Sequence, residues 1–120
     1  MNIKQTQHNI YIAYPECVTL KRLGLPQGNS SAYWSNADQA VFTSERVAKF
    51  RGWEKHFTAA VTGDELNKFI PPFTLIEKPD ANNYRITNPR YKVTANASTE
   101  AEAKVKFIAQ LVKNKAIKLT

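Results

Sequence analysis

The chain predicts a single α+β domain spanning residues 1–120, built as an antiparallel sheet of three to five strands with helices packed mainly on one face and a long C-terminal helix. Three observations lead to this class. Apolar and polar residues alternate from Tyr84 onward: Tyr84 and Ile86 oppose Arg85 and Thr87, then Tyr91, Val93 and Ala95 oppose Arg90, Lys92 and Thr94. That period of two marks half-buried strands. From Thr99, Ala101, Val105, Ile108 and Val112 share one face at helical spacing, the stripe of a helix laid on a core. Elsewhere short elements follow one another closely, with no repeat and no linker long enough to divide two domains. A chain of 120 residues with 42% hydrophobic and 11% aromatic residues can fill one core without metal or disulfide.

In chain order, Ile10 to Tyr14 is β-branched and aromatic and predicts a strand ended by Pro15. Pro15 suits the first turn of a helix, where its missing N–H costs nothing. That helix ends at Leu23, because Gly24 can take the left-handed cap, Leu25 can fold back on Leu20, and Pro26 cannot continue it. Ala32-Tyr33-Trp34 and Ala40-Val41-Phe42, around a polar Ser-Asn-Ala-Asp-Gln centre, predict a hairpin. Thr43 or Ser44 can cap a helix through Arg46–Phe57. On it Val47, Phe50, Trp53 and Phe57 form a buried arc flanked by Lys49, Arg51, Lys55 and His56, so the rings face the core and do not stack on bases. Gly52 either packs closely or breaks this helix.

Thr62 to Glu65 has capping-box spacing for a short helix to Ile70, ended by Pro71-Pro72. Phe73 to Glu77 predicts a strand and Lys78 to Asn83 a turn, while Pro89 belongs at a bend or edge. Thr99 to Glu102 can form a second capping box. The acidic residues at the start of that last helix, with Lys113 and Lys115 at its end, suit the helix dipole.

Little in the sequence points to catalysis. Cys17, His8 and His56 are the only sulfur and nitrogen ligand candidates and are far apart in sequence, so no metal site is expected. A Cys17 nucleophile would need a histidine within hydrogen-bond reach, and a buried thiol is the simpler reading. The glycines are scattered singly and make no phosphate cradle, and no cofactor is expected. The N-terminus lacks a signal-length apolar run and no stretch reaches the roughly 20 apolar residues of a membrane span, so a cytoplasmic, non-membrane protein is expected.

Two local likenesses carry no functional residues. Val18 to Trp34 contains a Leu-Gly-Leu turn and resembles a helix-turn-helix, but Pro26 and Gly28 lengthen the turn, and Asn29 to Trp34 has no basic residue to reach phosphate. YRITNPRYKVTANASTEAEAKVKF resembles the closing strands and helix of double-stranded-RNA-binding domains. It places Glu100 and Glu102 where that family has lysines.

Charge is the stronger signal. Of the formal +7, residues 1–80 supply nine Lys/Arg against eight Asp/Glu, and residues 81–120 supply eight against two. Such asymmetry favours an anionic partner, since each neutralised phosphate releases counterions. The expected function is therefore non-enzymatic binding to nucleic acid or a nucleic-acid-handling complex. Arg85, Arg90 and Lys92 on the polar strand face and Lys106 and Lys113 on the outer helix face would contact phosphate. The alternative is a small inhibitor or adaptor, of the kind phages and mobile elements carry, that blocks a host protein such as a defence nuclease complex. Tyr33, Trp34 and Phe107 would be its exposed anchors.

Overall fold

The computed structural model describes residues 11–120, and the fold is α+β with antiparallel sheets and a long C-terminal helix. The strands form two sheets of three, and the chain divides into two compact units, Met1–Gly63 and Asp64–Thr120.

In the first unit the expected early strand reduces to a single bridge between Tyr11 and Thr62, with Ile10 outside the described residues. Helix α1 (Tyr14–Arg22) carries Pro15 in its first turn. Gly24, at φ 103°, closes it as expected, its N–H bonding the Lys21 carbonyl and the Leu25 N–H bonding the Leu20 carbonyl. Strands β1 (Ala32–Ser35) and β2 (Val41–Thr43) form the expected hairpin.

The helix expected through Phe57 is corrected. Thr43 accepts the Arg46 N–H and starts α2 (Ser44–Ala48), which ends after little more than a turn. Gly52 turns left-handed at φ 70°, Trp53–Lys55 is one 3-10 turn, and Phe57–Ala59 becomes β3, antiparallel to β1. Pairing with the otherwise open edge of β1 outweighs the helical spacing of the rings. Tyr33, Val47, Phe57 and Ala59 form one core cluster with Phe42 and Trp53, while Phe50 stays exposed.

The second unit takes in most of the short helix α3 (Gly63–Leu66), a 3-10 turn at Asn67–Phe69, β4 (Leu75–Asp80), β5 (Asn83–Asn88), β6 (Val93–Ala97) and α4 (Glu100–Lys113). The sheet order is β4-β5-β6. β4 runs through Lys78 and Pro79, where a turn was expected, with a register shift between Glu77 and Asp80. A proline on an edge strand need not donate to a ladder. Thr99 accepts the Glu102 N–H to cap α4. Ala103, Phe107 and Leu111 seat α4 on the face carrying Ile86, Val93, Ala95 and Ala97. The opposite face shows Arg85, Thr87, Thr94 and Asn96, which pair across β5 and β6. Val105 and Ile108, from the expected stripe, are buried too.

Candidate functional site

The expected anchors of a protein-binding surface are not on the surface. Tyr33 is 3% exposed, and Trp34 and Phe107 are at 0%. Tyr33 also spends its hydroxyl on the Gln27 carbonyl at 2.5 Å. Phe107 lies against the sheet because the stripe that meets it is rotated from the expected one, running through residues 103, 107 and 111. Cys17 is fully buried, its thiol 3.8 Å from the Ile12 carbonyl, and His56 is exposed. His8 lies outside the described residues. No cluster of three His, Cys, Asp or Glu occurs among the described residues, and no described helix is long and apolar enough to cross a membrane.

The basic residues divide into two groups. Arg85 sits on the outer sheet face with its Nε 3.5 Å from a Glu77 carboxylate oxygen. Lys106 lies 3.5 Å from Glu102 and donates to the Asn96 carbonyl. Lys104, whose side chain is 8% exposed, lies 3.9 Å from Glu100 and bonds Asn67 at 2.8 Å. These three cations have local carboxylates. Arg90, Lys92 and Lys113 are exposed; the first two lie in the β5–β6 loop and not on a strand face, because β6 begins only at Val93.

That loop is built around Asn88. The side chain is fully buried, its oxygen accepts the N–H groups of Arg90 and Tyr91, and its amide donates to the Pro72 carbonyl and the Thr74 hydroxyl. The Lys92 N–H then bonds the Pro89 carbonyl, leaving Lys92 left-handed at φ 56°. Rigid local bonding thus presents Arg90 and Lys92 to solvent.

Register shows which charges meet. Lys106 reaches Asn96 and Gln110 reaches Thr94, so α4 runs back along β6 and ends level with the β5–β6 loop. Its end is a Schellman motif: the Ala116 N–H bonds the Leu111 carbonyl and the Lys115 N–H bonds that of Val112, with Lys115 at φ 61°. Lys113, Lys115, Arg90 and Lys92 therefore share one end of the unit. There a cleft of about 290 Å³ lies between Lys68, Phe69, Pro72, Tyr91, Ile117 and Lys118. Asp80, Glu100 and Glu102 occupy the other end, at the β4–β5 turn and the first turn of α4, where Lys78, Lys104 and Lys106 offset them and leave that end close to neutral. The unit is electrically polarised along its strands. Lys68, Lys115 and Lys118 were missed as site residues, because each is one lysine among many until the fold gathers them.

The first unit has a larger cleft, about 590 Å³, whose lining includes Tyr33, Trp53 and Glu45. Its one charge is negative and would repel phosphate. Together the fold and the polarised site define an α+β protein with a basic, aromatic-lined end. No family model matches the chain, and neither the curated proteins nor the solved structures contain a significant match to it.

Proposed function

We propose that the chain is a non-enzymatic nucleic-acid-binding protein whose contact surface is the basic end of residues 64–120. The observation that carries this reading is the segregation of charge: Arg90, Lys92, Lys113, Lys115, Lys118 and Lys68 are gathered around the loop end, away from Asp80, Glu100 and Glu102. Such a cluster supplies the counterion-release term that dominates binding to a phosphate backbone. Arg85 and Lys106 drop from the expected contact set, since each already faces a carboxylate. Two lysines, Lys92 and Lys115, hold left-handed conformations where glycine or asparagine would be unstrained, so each charge at this end is placed at some cost in backbone strain. The cleft between Phe69 and Tyr91 favours single strands, because aromatic rings beside lysines suit splayed bases and a duplex hides base faces.

The test is binding of labelled single- and double-stranded DNA and RNA across a salt series. Replacing Arg90, Lys92 and Lys113 together by Ala is expected to weaken binding at least about tenfold at low salt and to lower the slope of log K against log salt by about 2 to 3. Arg85→Ala with Lys106→Ala is expected to change affinity far less. No binding at low salt, or equal losses in the two variants, would overturn the proposal.

A further inference from the structure

The two edges of the β4-β5-β6 sheet are finished differently. At the β6 edge, Gln110 donates to the Thr94 carbonyl at 3.1 Å and Lys106 to that of Asn96 at 3.4 Å. These long polar side chains occupy the acceptors that an incoming strand would use. At the β4 edge every residue from Leu75 to Asp80 is exposed. Just there the surface turns apolar: Phe73 is 88% exposed, Leu75 54% and Ile76 42%. Phe73 is held at φ 64° between Pro72, whose carbonyl takes the Asn88 amide, and Thr74, whose hydroxyl bonds the Pro71 carbonyl. An aromatic side chain kept in that conformation with its ring in solvent gains nothing within one chain.

The ladder fixes which backbone groups of β4 are open. The Thr94 and Asn96 carbonyls point away from β5, so by the alternation of antiparallel pairs their partners Thr87 and Arg85 turn their N–H and C=O toward β4. There they face Leu75 and Glu77. Ile76, between these two, turns its N–H and C=O outward. We propose that this edge pairs with β4 of a second copy of the chain, antiparallel, about a two-fold axis normal to the sheet at Ile76.

In that register the two Ile76 residues exchange both backbone hydrogen bonds. Leu75 comes opposite Glu77 of the second copy and Thr74 opposite Lys78 of the second copy, so no like charges meet. Centring on Glu77 or Lys78 would set like charges face to face, a destabilising arrangement. The polarity of the unit agrees with this choice. β4 starts at the basic end and finishes at the near-neutral end, since Leu75 pairs with Thr87 and Asp80 with Asn83. Antiparallel pairing therefore sets the basic end of each copy beside the near-neutral end of the other and keeps the two basic ends apart. Growth stops at two copies, because the outer edges of the resulting six-stranded sheet are both β6 edges, already occupied by Lys106 and Gln110. A strand-edge contact of this length is a small interface, so micromolar association is expected.

The inference does not depend on nucleic-acid binding, and the protein is freed of nucleic acid in high salt before the experiment. Sedimentation from low to high micromolar concentration is expected to show the mass rising toward twice that of one chain. Ile76→Lys, at an exposed position and checked for folding by circular dichroism, is expected to weaken dimerisation at least about tenfold. Mild oxidation of Ile76→Cys is expected to give a covalent dimer much faster than oxidation of Phe50→Cys, a somewhat more exposed site off this edge; Cys17 is buried and does not compete. A wild-type chain that stays monomeric throughout would overturn the proposal. So would a dimer indifferent to Ile76→Lys, or cross-linking no faster at position 76 than at 50.

Discussion

Replacing Asn88 by alanine tests whether the basic loop is held in place or merely exposed. Asn88 is at 0% exposure and makes four side-chain hydrogen bonds, at 2.9 Å to Thr74, 3.3 Å to Pro72, 3.0 Å to Arg90 and 3.3 Å to Tyr91. Alanine removes all four. Arg90 is exposed and can recover water, so not every bond carries its full penalty; at about 1 kcal/mol per bond, and more for a group left dry, the loss is roughly 2–4 kcal/mol. For a slope of about 2 kcal/mol per molar urea, the middle of the usual range, the midpoint falls by roughly 1–2 M. Both tryptophans, Trp34 and Trp53, lie in the first unit, so tryptophan fluorescence is the wrong probe. The assay is urea unfolding by far-UV circular dichroism, with hydrogen exchange read over residues 71–75 and 88–93. Asn88→Asp keeps the shape and still accepts from Arg90 and Tyr91, but buries a charge and sets its second oxygen against the Pro72 carbonyl and the Thr74 oxygen, whose proton goes to Pro71, so it should be no more stable than Asn88→Ala. A midpoint unchanged in Asn88→Ala, with exchange in both loops also unchanged, would refute the reasoning.

Two further predictions turn on left-handed residues. Lys115→Gly relieves a strained cap and is expected to stabilise by about 1 kcal/mol, raising Tm by about 3–5 °C, while lowering the salt slope of nucleic-acid binding by about 1; a thermal melt and the salt series read the two effects separately. Gly52→Ala is a test of sign. A Cβ at Gly52 meets nothing within 4 Å, so only its φ of +70° matters. The expected effect is destabilisation by about 1 kcal/mol, whereas a continuous helix through Arg46–Phe57 would gain about that much from the same change. Thermal or urea melts decide between them.

What could be read in the sequence was what short-range chemistry dictates. Gly24 after Leu23, Thr99 before the last helix, and the alternation at Tyr84–Ile86 each act within a few residues, and each appears in the structure. The segment from Val47 to Phe57 misled because its rings fall at helical spacing by coincidence, while the open edge of β1 offered Phe57–Ala59 a ladder that no local pattern records. Phe107 misled for a related reason. A helix buried on two stripes, residues 103, 107 and 111 and residues 105 and 108, has no single apolar face to find from sequence.

The charge asymmetry was legible, yet the contact residues were only partly so, because phosphate binding depends on which cations lack a nearby carboxylate. Glu77 sits eight positions from Arg85 and reaches it only through the β4–β5 register. Glu102 neutralises Lys106 through the ordinary i,i+4 spacing of a helix, which the sequence did show. Arg90, Lys92, Lys113, Lys115 and Lys118 stand apart from these pairs, because β6 and α4 run in opposite directions and bring the loop before one beside the end of the other. The same antiparallel arrangement sends Glu100 and Glu102 to the far end. One topological fact therefore produces both the basic end proposed to bind nucleic acid and the head-to-tail arrangement that keeps the basic ends of two copies apart. In the resulting dimer the basic ends point in opposite directions along the sheet. Two sites so placed would engage separate stretches of strand and not reinforce each other on one short oligonucleotide.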